Sequence, residues 1–138
     1  MRPEPLSRRD DDGERGSAVV DFVLVGVLVV ALLLAVLQVA VYAHVRNVVT
    51  ASAQEGARFA ANADVDSTLG AARTLEVVGR ATNAGTAAGL ACTSGEEADA
   101  SGLTLVVVTC SGAVPSLVSA LGDLLPLEVT GRAVKEGA

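Results

Sequence analysis

At 138 residues the chain has room for one small domain beside a long apolar segment. Apolar residues make up 51% and aromatics only 2%, so any core outside that segment is built from Val, Leu and Ala. The net charge is −6, and nothing in the chain resembles the basic stripe that nucleic-acid binding needs.

Residues 1–16 are polar, with Arg2, Arg8, Arg9 and Arg15 mixed among five acids and Pro3, Pro5 and Gly13. This composition predicts disorder. It ends at Gly16 and Ser17, after which the chain turns apolar except for Asp21. An acidic side chain near the start of a membrane helix is costly, so Asp21 is a functional candidate.

Residues 22–45 carry no fixed charge. That stretch exceeds the roughly 20 residues a helix needs to cross a bilayer and is too long for a secretory signal core of about 7–15. Tyr42 falls near its far end, where an amphipathic ring suits the membrane interface. Four arginines before the span against Arg46 and Arg58 after it predict a cytoplasmic N-terminus and an extracytoplasmic remainder.

The helix is expected to continue beyond the membrane. The Ala-rich, proline-free stretch 47–61 places Glu55 and Arg58 three apart for a surface ion pair. Gly56 costs about 1 kcal/mol there without breaking the helix. The first interruption is expected at Asn62, Ala63 and Asp64. The expected divisions are 1–16, a helix over 17–62, and a small α+β domain over 63–138.

Within that domain Asp66 is placed to cap a second helix running to Ala81, with Leu69, Ala72, Leu75 and Val77 or Val78 as its apolar stripe. Asn83, Ala84 and Gly85 end it. Residues 103–110 (LTLVVVTC) and 127–134 (LEVTGRAV) read as strands, with Gly131 as a bulge candidate. Residues 115–125 between them read as a short helix, and 86–92 as a third strand. The fold class is therefore α+β: a long N-terminal transmembrane helix, a second helix and a small C-terminal antiparallel sheet.

Cys92 and Cys110 both follow the membrane segment. Outside the cytoplasm a disulfide between them would close a loop of roughly 18 residues; the alternative is two buried thiols. No second pair or nearby His completes a metal set. Glu96, Glu97 and Asp99 read as a solvated loop rather than a calcium site. His44, the one histidine, reads as a surface residue. Ser111 and Ser116 lack a neighbouring base, and no phosphate-binding glycine pattern occurs. Nothing points to an enzyme or a cofactor.

Gly16 followed by Ser-Ala-Val-Val-Asp-Phe resembles the cleavage site of class III prepilins, in which Gly is followed by four residues, then Glu, then often Tyr. More closely, residues 15–61 resemble a TadE-like pseudopilin of the Tad (Flp) pilus system. In that family the signature helix is followed by a segment ending in a Gly-Ala-Arg-like motif, matched here by Gly56, Ala57 and Arg58 within Gln54-Glu55-Gly56-Ala57-Arg58-Phe59-Ala60-Ala61. The remainder is similar only in its order of helix then strands.

The resemblance implies a pilin-like minor subunit, cut between Gly16 and Ser17 by a prepilin peptidase. Asp21 would then be the acidic fifth residue of the mature chain, neutralising the new α-amino group of a neighbouring subunit. Phe22 would be its aromatic neighbour. Implied partners are the peptidase, other pilin or pseudopilin subunits, the Tad assembly platform and the membrane. Two departures stand: Asp replaces the family's Glu, and Phe22 replaces the frequent Tyr.

Two other readings compete. An uncleaved single-pass anchor would carry an extracytoplasmic binding or accessory module. Release by signal peptidase would use the small-residue patterns Val41-Tyr42-Ala43 or Ala51-Ser52-Ala53.

Overall fold

A computed structural model describes residues 1–3, 11–114, 116 and 125–137. Its elements are α1 (Asp11–Ala61), α2 (Leu69–Ala81), α3 (Ala84–Ala88), β1 (Leu90–Ala98), β2 (Thr104–Val114) and β3 (Leu125–Val134). The chain is α+β, with a long apolar N-terminal helix, further helices and a three-stranded antiparallel sheet in the order β1-β2-β3. It divides into two compact units, Met1–Leu37 and Gln38–Ala138.

The first unit is the apolar part of α1. Side chains from Gly13 to Leu37 are exposed, among them Val19, Phe22, Leu28 and Leu33. The helix is long and apolar enough to cross a membrane. It begins at Asp11, not at Ser17, so residues 11–16 are helical rather than disordered. Near this end Glu14 is exposed, where a negative side chain favours the helix dipole.

In the second unit α1 lies on the sheet through a face of small residues. Val49, Ala53, Ala57 and Ala60 recur at helical spacing and are fully buried, with Ser52 and Gly56 beside them. Val41, Tyr42 and Val45 pack against the same cluster, so the domain takes up the end of the apolar run expected to lie wholly in the membrane. The sheet's inner face contributes Val106, Val108, Cys110 and Val114 from β2, and Leu127 and Val129 from β3.

Gly131 is not a bulge. It stays in register opposite Val108, and a Cβ there would come within 2.3 Å of the Ala53 carbonyl oxygen. Its hydrogen side chain is what allows α1 to approach β3.

α2 ends at Ala81 as expected, but its buried face is Gly70, Thr74 and Val78, while Leu69 and Ala72 are exposed. Close approach to α1 selects small residues there over larger apolar ones. Asp66 does organise the start: its carboxylate accepts from the Thr68 N–H at 2.8 Å and hydroxyl at 2.6 Å. Residues 84–88 form α3 rather than strand, capped by the Asn83 side chain, which accepts from Thr86 N–H at 2.8 Å.

β1 therefore starts at Leu90, and it runs on through Glu96 and Glu97, which are strand and not loop. Pairing with β2 imposes this on a weak strand sequence, with Glu96 opposite Val106 and Glu97 opposite Leu105. Adjacent strand residues point to opposite faces, so the two carboxylates diverge. Asp99 organises the hairpin turn, accepting from Ser101 N–H at 2.7 Å and Leu103 N–H at 3.1 Å, with Gly102 at φ 83°. The helix expected over 115–125 lies outside the described residues, except for Ser116, which is not helical, and Leu125, which opens β3.

Cys92 and Cys110 sit opposite each other in the register and are joined as a disulfide. Cys110 is fully buried within the main cluster, and Cys92 packs at its margin.

Candidate functional site

Two separate groups of residues, one in each unit, are candidates for function. The first is the junction. Gly16, Ser17, Asp21 and Phe22 all lie in regular helix and are all exposed, Phe22 at 79%. Asp21 forms no ion pair with any described residue. Its carboxylate thus sits on a helix whose following surface is aliphatic. Beyond it Phe22, Gly26 and Val30 recur one turn apart, and the missing side chain at Gly26 leaves a shallow apolar notch lined also by Val23, Val27 and Leu34.

An acid on such a surface is tolerable in a low-dielectric setting only when a cation pairs with it. No described residue of this chain pairs with it. Nor does the junction itself carry a metal-binding set: among the described residues no group of three His, Cys, Asp or Glu side chains gathers.

The second group is the Gly-Ala-Arg motif, and its three residues do different work. Gly56 faces α2, where an added Cβ would lie 2.5 Å from the Gly70 carbonyl oxygen. Ala57 is fully buried in the core. Arg58 is exposed in the last turn of α1, where a cation opposes the negative helix end.

Glu55 does not pair with Arg58. It faces α2, where Arg73 Nη2 approaches it at 3.9 Å while Nη1 reaches Glu76 at 3.1 Å. The Arg73 guanidinium also lies 5.5 Å from the Phe59 ring centre, so one arginine ties two α1 residues to α2. Arg73 and Arg80 together hold the Glu76 carboxyl below its ordinary range, the Arg73 hydrogen bond first.

Sequence reasoning missed the partners of this motif. Gly70, Thr74 and Gly131 are legible only once α1 is known to cross them. Lys135 was equally silent. Its ammonium donates to the carbonyls of Ala60 at 3.0 Å, Asn62 at 3.0 Å and Val65 at 2.6 Å, closing the C-terminal end of α1. The one available signal was that Lys135 is the only lysine in the chain.

The signal-peptidase patterns lie inside α1, and their residues are engaged. Tyr42 Oη donates to the Pro126 carbonyl at 3.2 Å, and Ser52 and Ala53 are buried. Neither stretch offers the extended, accessible backbone that such a cut needs.

No curated protein and no solved structure matches this chain. Residues 16–58 do match a family model, that of the TadE-like protein, over a stretch that opens on the junction glycine and closes on the motif arginine. That segment, about a third of the chain and mostly the N-terminal apolar helix, is similar to TadE-like proteins.

Proposed function

We propose that this chain is a minor pilin or pseudopilin subunit of a Tad-type pilus or related secretion apparatus. In this reading a prepilin peptidase cuts between Gly16 and Ser17 on the cytoplasmic side. α1 crosses the membrane with its N-terminus inside, and the domain that follows Gln38 stands outside. The subunit's work is assembly and not catalysis.

The observation that carries the reading is Asp21: an exposed carboxylate, unpaired among the described residues, at the head of an uncovered aliphatic helix. Cleavage after Gly16 creates an α-ammonium at Ser17. In a packed bundle of such helices, each new ammonium can neutralise the Asp21 of a neighbour. The shared electrostatic need then favours subunits entering the assembly at one height.

A second reading has its own support, because α1 runs unbroken through Gly16 and Ser17. An uncleaved anchor carrying an accessory domain would keep that helix intact. Intact mass and N-terminal sequencing of protein purified from host membranes separates the two. A chain beginning at Ser17 supports the pilin reading, and one retaining Arg2 to Gly16 overturns it. Asp21→Ala is the companion variant: it should stay in the membrane, folded, yet fail to join an assembly that Asp21→Glu still enters.

A further inference from the structure

The C-terminal end of α1 meets a cation that belongs to the chain itself. Lys135 follows directly on β3, and its backbone N–H donates to the Thr104 carbonyl at 2.8 Å, so its side chain starts from a fixed point. The ammonium then donates to three main-chain carbonyls, those of Ala60 and Asn62 at 3.0 Å and that of Val65 at 2.6 Å. A lysine ammonium has three N–H donors and no acceptor. All three donors are used here, and every partner is a neutral backbone oxygen.

The oxygens converge because of how the chain turns after Ala61. The Val65 N–H donates to the Asn62 carbonyl at 3.2 Å, which folds residues 62–65 back toward the helix end. Ala60 is fully buried, and its carbonyl lies in the last turn of α1. Carbonyls there lack intrahelical partners and form the negative end of the helix dipole. Their neighbours find donors of other kinds: Phe59 accepts from the Asn62 side chain at 3.1 Å, and Ala61 from the Glu136 N–H at 2.8 Å. For the Ala60 and Val65 carbonyls that donor is Lys135.

The class of cation follows from the ligands. Calcium takes six to eight oxygens with carboxylates among them, and magnesium is likewise held by carboxylates. In this turn the Asp66 carboxylate is already committed to the Thr68 N–H and hydroxyl, and Asp64 is exposed. Among the described residues no group of three His, Cys, Asp or Glu side chains gathers. Three neutral acceptors around one nitrogen match the three donors of a primary ammonium instead.

We propose that the end of α1 and the turn after it form a binding site for a primary ammonium ion, and that the Lys135 side chain is its tethered occupant. Tethering makes the closure of the helix end independent of ions in the surroundings. It also ties the C-terminal strand to α1 through charge in addition to apolar packing. The site lies wholly within the second unit, so it does not depend on how Asp21 is used.

Lys135→Ala opens the site without filling it with another side chain. Thermal midpoint and amide hydrogen exchange at Glu136 are measured on the full chain in detergent. The salts are ammonium, methylammonium or choline chloride at matched ionic strength. Choline carries the same charge but has no N–H and too much bulk to sit among the three oxygens. The parent should behave alike in all three salts. The variant should lose midpoint and Glu136 protection in choline and regain most of both in ammonium and methylammonium. Folding of the variant in those two salts alone would be the same result in stronger form. A variant that responds equally to all three, matches the parent in choline, or stays unfolded in every salt would overturn the proposal.

The parent supplies a check that needs no variant. Lys135 is the only lysine in the chain, so isotopic labelling of lysine nitrogen gives one side-chain ammonium signal. Held by three carbonyls, its protons should exchange slowly enough with water to be seen. An ammonium that exchanges as fast as free lysine would show that the site is not occupied.

Discussion

Gly56 on α1 and Thr74 on α2 are so close that a Cβ on the glycine would lie 2.0 Å from the threonine hydroxyl oxygen. Thr74 is fully buried, and its hydroxyl is already committed to the Gly70 carbonyl at 2.8 Å. The clash is therefore not one that a flexible side-chain end can relieve.

Gly56→Ala should destabilise the domain, although alanine is the better helix former. The propensity gain is about 1 kcal/mol, while overpacking a filled site costs about 1–3 kcal/mol and more when backbone must move. Thermal unfolding of the detergent-solubilised chain checks it, with Gly26→Ala as the control. At Gly26 nothing lies within 4 Å of an added Cβ, so that variant should match or exceed the parent. Equal stability of both variants would remove the packing role assigned to the motif glycine.

The same pair of residues shows what the sequence could and could not convey. α1 was legible through its end at Ala61, because hydrophobicity, alanine content and the polar Asn62-Ala63-Asp64 break are all local signals. β2 and β3 were legible from alternation and β-branching, although both run further than the pattern alone indicates. β1 was only partly anticipated, since Thr93, Ser94, Gly95 and Glu96 form a strand by pairing with β2 rather than by preference. The role of Gly56, Gly70 and Gly131 depends on which surfaces meet. A glycine's sequence neighbours carry no record of what lies across from it.

Lys135→Met should loosen the end of α1. Methionine keeps the aliphatic stem but leaves the carbonyls of Ala60, Asn62 and Val65 without their shared donor. Hydrogen bonds to a charged group contribute about 1.5–3 kcal/mol, and the half-exposed ammonium points to the lower part of that range. Hydrogen exchange should accelerate in the last turn of α1 and at Glu136, whose N–H bonds to Ala61 at 2.8 Å. Unchanged protection there would mean that water replaces the ammonium at no cost.

The disulfide should carry a large share of the domain's stability, because the core it joins is made mostly of valine and alanine. Closing a loop of separation 18 contributes about 3 kcal/mol on chain entropy. Cys92→Ser with Cys110→Ser should therefore lower the unfolding midpoint, and reductant should do the same to the parent and nothing further to the variant. The strand register is held independently by the β1–β2 and β2–β3 pairings, so the folded variant should keep its sheet. A midpoint insensitive to reduction would show that the paired strands suffice.

Acid should weaken the domain through two aspartates that organise its turns. The Asp66 carboxyl is held below its ordinary 3.8, first by the Thr68 hydroxyl and then by the Thr68 N–H. Asp99 is held down likewise, first by the Ser101 hydroxyl and then by the Ser101 N–H. A lowered folded pKa means that the unfolded chain takes up protons first as pH falls. The stabilisation is thus present above the ordinary aspartate range and is lost as pH drops through the folded values. Denaturant midpoints should be level near neutrality and decline below about pH 4, where unfolded aspartates begin to protonate. Asp66→Asn and Asp99→Asn retain an oxygen that can accept these bonds but no longer titrate, so each should flatten the decline. Glu76 leaves a residual slope in both, because its arginine partners hold it below its ordinary range too. An unchanged slope in the double Asn variant would place the acid sensitivity elsewhere than in these turns.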